Sequence, residues 1–235
     1  MAQASPIRLH VWGEFACLTR PEMKVERVSY DVLTPSAARG ILESIYWKPA
    51  VRWVVERIRV LNEIRFTNLR RNEVASKASA QNARKAMNGD ESSLGLYIEE
   101  DRQQRAAMIL RDVAYVIEAR FELLDDSEPV AKHYNMFKRR AESGQCWQQP
   151  YLGTREFPCS FAWLDGASPA PHISLQGVVD LGYVLHDLVY EAAVEKQHGF
   201  RDGRGRPLSA TARFFRARMV DGVIEIPPLG SGESA

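Results

Sequence analysis

The sequence predicts an α+β fold: a βαββαβ domain over residues 1–157, interrupted by a long polar insertion at about 75–109, then a small β-rich C-terminal extension over 158–235. Three observations predict it. Period-two alternation of apolar and polar residues marks strand-like stretches ahead of residue 125. Two segments beginning at prolines carry apolar residues at helical spacing. Beyond about Pro158, strand-like runs are separated by turn signals.

The elements follow in order. Ile7 to Leu18 is rich in apolar and aromatic residues, lacks a helix cap and reads as a first strand. Thr34 ahead of Pro35 predicts an N-cap followed by proline at the first helical position, and Ala38, Ile41, Leu42 and Ile45 form one apolar stripe. Pro49 restricts Lys48 and closes this helix. Trp53 to Leu61 reads as a strand with Val54, Ile58 and Val60 on one face, Glu56 as an exception, and Arg57 and Arg59 on the other. The polar stretch from Ala75 to Arg105, with Ser76-Lys77-Ala78-Ser79 and Asn88-Gly89-Asp90, predicts loops or a mobile hairpin. Val113 to Leu123 alternates without a break. A second helix behind Pro129 presents Val130, Tyr134, Phe137 and Ala141 on one face and stops at Gly144, after which Tyr151 to Phe157 is expected to supply the next strand. This order is the ferredoxin-like arrangement that RNA-recognition folds use. In the extension, Leu181 to Tyr190 reads as a strand, and Asp221-Gly222 between two apolar runs is a two-residue hairpin signal, so a β appendage packed on the first domain is expected.

Composition narrows the function classes. With 45% hydrophobic and 26% charged residues the chain is an ordinary globular protein. A net charge of +1, from 31 Lys and Arg against 30 Asp and Glu, announces no polyanion partner globally, so any nucleic-acid surface must be local. Cys17, Cys146 and Cys159 lack CxxC spacing, which argues against a zinc site or a disulfide framework; no metal and no cofactor is expected. Neither a leader nor a membrane-length apolar run is evident, and a soluble, cytoplasmic protein is expected.

Several blocks carry a family likeness. Val11-Trp12-Gly13-Glu14-Phe15-Ala16-Cys17 leads into Thr19 to Tyr30, then Thr34-Pro35-Ser36-Ala37-Ala38-Arg39-Gly40-Ile41-Leu42-Glu43 and Trp47-Lys48-Pro49. Ile64-Arg65-Phe66, Leu69-Arg70-Arg71-Asn72-Glu73, Arg111-Asp112-Val113-Ala114-Tyr115 and Gln149 to Phe157 continue the match. Together these resemble the CRISPR-associated Cas5 family, subtype d, of type I-C systems; the likeness thins beyond residue 160. The resemblance implies an RNA-recognition-like domain and metal-independent cleavage of precursor crRNA at the base of the repeat hairpin. It also implies that the mature crRNA is retained beside the backbone and large subunits of an interference complex.

Metal-free RNA cleavage needs a base for the 2′-OH, a cation for the charged phosphorane and an acid for the leaving 5′-oxygen. The family is understood to use a tyrosine, a lysine and a histidine, and Tyr46 stands at the tyrosine position. On its own terms Tyr46 is a helix-end aromatic resting on the core. In the matching strand region no Lys-His pair appears; Arg111-Asp112 is the nearest equivalent, with Arg111 able to neutralise phosphate. Lys24 and Glu26 in the first loop are alternates, or a pair of solvated charges. His133 follows a lysine but is expected to face solvent at a helix start, and His10 and His186 read as packing residues.

For RNA binding the candidates are Arg65, Phe66, Arg70 and Arg71, the basic helical run Lys138, Arg139 and Arg140, and Arg204 and Arg206 in an arginine-glycine loop. The alternatives to a cutting enzyme are a non-catalytic cap on crRNA and a double-stranded DNA-binding protein.

Overall fold

The computed structural model describes residues 7–23, 25–89, 94–125, 128–192, 200–201 and 206–229. The described chain is a mixed α/β fold built on a large, mainly antiparallel sheet with few helices. The strands are β1 (Ile7–Ala16), β2 (Arg27–Val28), β3 (Val51–Val60), β4 (Phe66–Val74), β5 (Arg102–Leu123), β6 (Ser160–Trp163), β7 (Val178–Ala192), β8 (Phe200–Arg201), β9 (Pro207–Val220) and β10 (Val223–Glu225). The helices are α1 (Pro35–Ile45), α2 (Ala80–Met87) and α3 (Val130–Glu142), with a 3₁₀ turn at Ile173–Leu175. No described helix is long and apolar enough to cross a membrane.

Local chemistry accounts for the helix starts. The Thr34 side chain accepts a hydrogen bond from the Ala37 N–H, as an N-cap should, and Pro35 opens α1. The predicted stripe Ala38, Ile41, Leu42 and Ile45 is buried. Helix α3 stops at Gly144, whose φ of 66° is left-handed backbone that glycine adopts without cost.

The main sheet runs β6-β1-β5-β3-β10-β9-β7, with β2 and β4 on β5 and β8 on β9. Leu9 opposite Ile117 and Val11 opposite Tyr115 place one apolar face of β1 and β5 in the core under α1 and α3. In β3 the sequence reading needs correction. A bulge between Val55 and Arg57 inserts one residue, so Val51, Trp53 and Val55 face inward before it and Ile58 and Val60 after it. Val54, assigned to the buried face by simple alternation, is on the other one.

The polar insertion is a hairpin arm: β4 pairs with the Arg102–Leu110 half of β5, and α2 lies between the two strands. Its paired stem begins at Phe66, earlier than expected. The strand expected at Tyr151 to Phe157 is a turn closed by a Tyr151–Pro158 bridge, and the next strand is β6, which begins three residues later. Gly153 explains why that turn cannot slide. Its φ is 90°, and a Cβ there would lie 2.0 Å from the Cys17 carbonyl oxygen.

The C-terminal strands continue the sheet. Asp221 (φ 50°) and Gly222 (φ 77°) make the predicted tight turn, and β10 then hydrogen-bonds to β3. The expected appendage packed against the first domain is therefore joined to it edge to edge through the backbone. Strand β7 packs against α1, where Arg39 reaches Asp187 through two bonds of 2.6 and 2.8 Å and Glu43 through one of 2.8 Å.

Candidate active site at the end of the first helix

Tyr46 ends α1 and is held at several points. Its backbone N–H donates to the Leu42 carbonyl at 3.0 Å, and its carbonyl accepts from Trp53 Nε1 at 2.9 Å. The side chain is 3% exposed, and its hydroxyl lies 2.8 Å from His133 Nδ1. The Arg140 guanidinium sits 5.3 Å from the Tyr46 ring centre and donates to the Ile45 carbonyl at 2.7 Å.

His133 is buried, contrary to the solvent-facing position expected for it. It shares the inward face of α3 with Phe137 and Ala141, and its other ring nitrogen, Nε2, lies 3.4 Å from Glu128 Oε2. Glu128 also receives the Lys132 ammonium one helical turn on. Lys132-His133 is thus a Lys-His pair beside Tyr46, on a helix rather than on the strand where one was sought. The overlooked signal was i, i+4, i+8 spacing: His133, Phe137 and Ala141 are as good an inward stripe as the one through Tyr134.

The electrostatics define proton positions. Burial raises the Tyr46 phenol above its ordinary value, and Glu128 adds to this while Arg140 and Lys132 oppose it. The phenol is therefore protonated at neutral pH, and in the tautomer that carries its proton on Nε2, on the Glu128 side, Nδ1 accepts from the phenol. Lys132 leads in holding the Glu128 carboxyl below the usual carboxylate range, with His133 and Lys48 adding to it. The outcome is a Tyr–His–Glu line with Lys48, Lys132 and Arg140 around it. The phenol and imidazole can exchange a proton across their 2.8 Å contact, Glu128 lies 3.4 Å beyond Nε2, and the nearby cations can present positive charge to a phosphate.

The other sequence candidates lie apart from it. Among the described residues, none of Glu26, Arg65, Arg70, Arg71 and Arg111 bonds to Tyr46 or His133. Arg111 and Asp112 form a structural corner of β5: Asp112 has φ 52°, its carbonyl accepts from Asn62 at 2.7 Å and its carboxylate takes Arg65 at 3.1 Å. Arg111 is exposed there, and its N–H donates to the Arg65 carbonyl at 3.0 Å. Glu26 is exposed in the turn before β2, and Lys24 lies outside the described residues.

Of the binding candidates, Phe66 packs against the core at the start of the arm and Arg70 is exposed. Arg71 pairs with Glu156 and lies 5.3 Å from the Phe157 ring centre. Arg140 braces the Tyr46 site, Lys138 lies 5.4 Å from the Trp163 ring centre, and Arg139 is exposed. Arg206 is exposed ahead of β9, and Arg204 lies outside the described residues. His10 stacks on Trp12 at 4.7 Å, and His186 donates to the Pro227 carbonyl at 2.7 Å, both as packing residues.

The basic face read on β3 is neutral. Arg57 and Arg59 both hold Glu118, Arg57 also takes Glu225, Arg120 takes Glu56 and Glu122, and Arg52 takes Glu122. Arg52 and Arg120 hold the Glu122 carboxyl below its usual range. Cross-strand pairing has consumed the cations that a strand-by-strand reading leaves open to a phosphate.

Known proteins resemble this chain over nearly its whole length. A family model described as "CRISPR-associated protein (Cas_Cas5)", Cas5d, matches residues 7–227. A protein of Mannheimia succiniciproducens named "CRISPR pre-crRNA endoribonuclease Cas5d" is 50% identical, with 98% of each chain covered. One of Thermus thermophilus with the same name is 43% identical over 94% of this chain and 91% of its own. A solved structure titled "Crystal Structure of CRISPR-associated Protein" shares the fold, with a TM-score of 0.68 at 21% identity over 100% of this chain and 97% of the other.

Proposed function

The chain belongs to the CRISPR-associated Cas5d family, and from that premise we propose that it is an endoribonuclease that cuts precursor crRNA at the base of the repeat hairpin. On this reading it then retains the product beside the backbone and large subunits of an interference complex. The observation that carries the reading is the 2.8 Å contact between the Tyr46 hydroxyl and His133 Nδ1, with the Arg140 guanidinium 5.3 Å from the Tyr46 ring centre and Lys132 also acting on the phenol. The names of the two relatives support the reaction class. The strand order β6-β1-β5-β3, with α1 and α3 as crossovers, supports a ferredoxin-like reading of the first domain, and β7 to β10 make up the extension.

The chemistry follows from the proton positions and needs no metal ion. The Tyr46 oxygen takes the proton of the ribose 2′-OH as its own proton moves to His133 Nδ1, and Glu128 faces the imidazolium that forms. The 2′-oxygen attacks the adjacent phosphorus, and Lys132, Lys48 and Arg140 offset the added charge. The P–O5′ bond breaks to leave a 2′,3′-cyclic phosphate, and the proton held on the dyad returns to the 5′-oxygen. Arg111 and Glu26 are not among the groups bonded to the Tyr46–His133 dyad, and Lys24 lies outside the described residues.

A second reading, a cap on crRNA that does not cut, is favoured by the enclosure of the dyad, with Tyr46 3% and His133 1% exposed. The test is cleavage of a type I-C repeat hairpin by purified protein with chelator present, against an unstructured RNA and duplex DNA of equal length. Selective cutting to a cyclic phosphate, abolished in Tyr46→Phe with binding kept, is the expected outcome. Tight binding without product establishes the cap, and preference for duplex DNA overturns both readings.

A further inference from the structure

Of the five tryptophans, three have ring or cation partners: Trp12 stacks on His10, Trp53 packs against Phe121 and Phe137, and Trp163 meets Tyr134, Phe137 and Lys138. Trp47 and Trp147 have no ring partner among the described residues and are 54% and 84% exposed. A hundred residues apart in sequence, they are tied to the same helix end. Trp47 directly follows Tyr46, and the Trp147 N–H donates to the Ser44 carbonyl at 2.9 Å, with Gln148 donating to the same oxygen at 3.1 Å. Two exposed indoles thus stand at the helix end that carries Tyr46, Trp47 by direct chain connection and Trp147 through its bond to Ser44.

We propose that Trp47 and Trp147 are positioning residues that stack unpaired nucleobases on the two sides of the scissile phosphate. The inference rests on the endoribonuclease reading and deepens it by naming the substrate feature that the site holds. Leaving an indole in water forgoes the burial that makes tryptophan useful, and an unpaired base offers a flat apolar face of matching size. The charge around the pair selects among flat partners. Lys48, Lys132 and Arg140 lie at the same helix end, with Glu128 already engaged by Lys132, which suits a phosphate-linked base. Stacking tolerates any base, so these residues fix where the strand lies and leave the identity of the hairpin to other contacts. The neutralised Arg–Glu face of β3 and β5 offers no competing cationic track.

The experiment uses the full chain and repeat RNA carrying 2-aminopurine at each unpaired nucleotide beside the cut. The wild-type protein is expected to quench the probe at the flanking positions through stacking. Trp47→Ala and Trp147→Ala each restore the emission at one side. Each weakens RNA binding roughly tenfold and slows single-turnover cleavage at saturating RNA, as loss of one base–aromatic stack predicts. Trp147→Phe retains most of the quenching, and thermal midpoints stay unchanged because both side chains are exposed. If wild-type protein cuts the hairpin while the double alanine variant matches it in quenching, affinity and rate, the inference falls alone and the indoles face a protein subunit. If wild-type protein neither binds nor cuts the hairpin, the inference falls together with its premise.

Discussion

Replacing His133 by alanine separates packing from chemistry at the Tyr46 site. The imidazole is 1% exposed and accepts the phenol proton at 2.8 Å, so its loss leaves a buried hydroxyl unpaired and a ring-sized void against Phe121. An unsatisfied buried hydroxyl costs about 1–3 kcal/mol, and incomplete collapse of the void adds on the order of 1 kcal/mol. For a chain of this size each kcal/mol moves the melting midpoint by roughly 2–4 °C, so a drop of about 5–15 °C is expected with the fold intact. Cleavage should fall much further, by about 10²–10⁴-fold at saturating RNA, because the phenol loses its proton acceptor. The control is Leu152→Ala, which empties a fully buried site in the Tyr151–Pro158 turn at similar cost and leaves the dyad untouched. The assay pairs circular-dichroism melting with single-turnover cleavage well below both midpoints. If His133→Ala cuts within about threefold of wild type, or if Leu152→Ala loses as much rate, the dyad is a structural tie and the proton moves by another route.

Three further outcomes follow from the same structure. Gly153→Ala forces a Cβ into the Cys17 carbonyl at left-handed φ, and soluble yield or melting midpoint should fall well below that of wild type; a midpoint within about 2 °C of wild type, on the order of 1 kcal/mol or less, would refute the clash. Glu118→Gln releases Arg57 and Arg59 from their shared partner, so non-specific RNA affinity at low salt should rise several-fold with a steeper salt dependence, and an unchanged salt slope would show the sheet face to be out of reach of RNA. Burial raises the phenols of Tyr30, Tyr46 and Tyr115 and pushes the Cys159 thiol up to about 12, so the folded state holds these protons more tightly than the unfolded chain. Their stabilising contribution is full below about pH 9 and is lost as pH rises through the folded values, and a melting midpoint that climbs between pH 9 and 11 contradicts the burial.

Where the structure departs from the sequence expectations, the partner of a strand or loop decides the outcome. Strict alternation through Val54 failed because a bulge is an event in pairing, and a strand read alone does not show its partner. Arg111-Asp112 stands in the strand region where the resemblance implies a Lys-His pair; its place as a corner depends on Asn62 and Arg65 arriving from the loop between β3 and β4. The basic side of β3 looked open because Glu118 and Glu225 come from strands 59 and 168 residues away.

The amino-acid order alone set what near neighbours in the chain decide: the Thr34–Pro35 helix start, the Asp221-Gly222 turn, the strand from Val113 to Leu123 and the presence of Tyr46 at a helix end, whereas the burial of Ala114 and Val116 on that strand's second face, against Leu61, came from packing. Tertiary packing decided what those parts face. His133 meets Tyr46 across 87 residues only because α1 and α3 lie side by side on the same sheet, and the arginines of β3 are neutral only because β5 and β10 bring carboxylates into register. Local periodicity fixes the direction of a side chain relative to its own element, and only the docking of elements fixes which group it finds there.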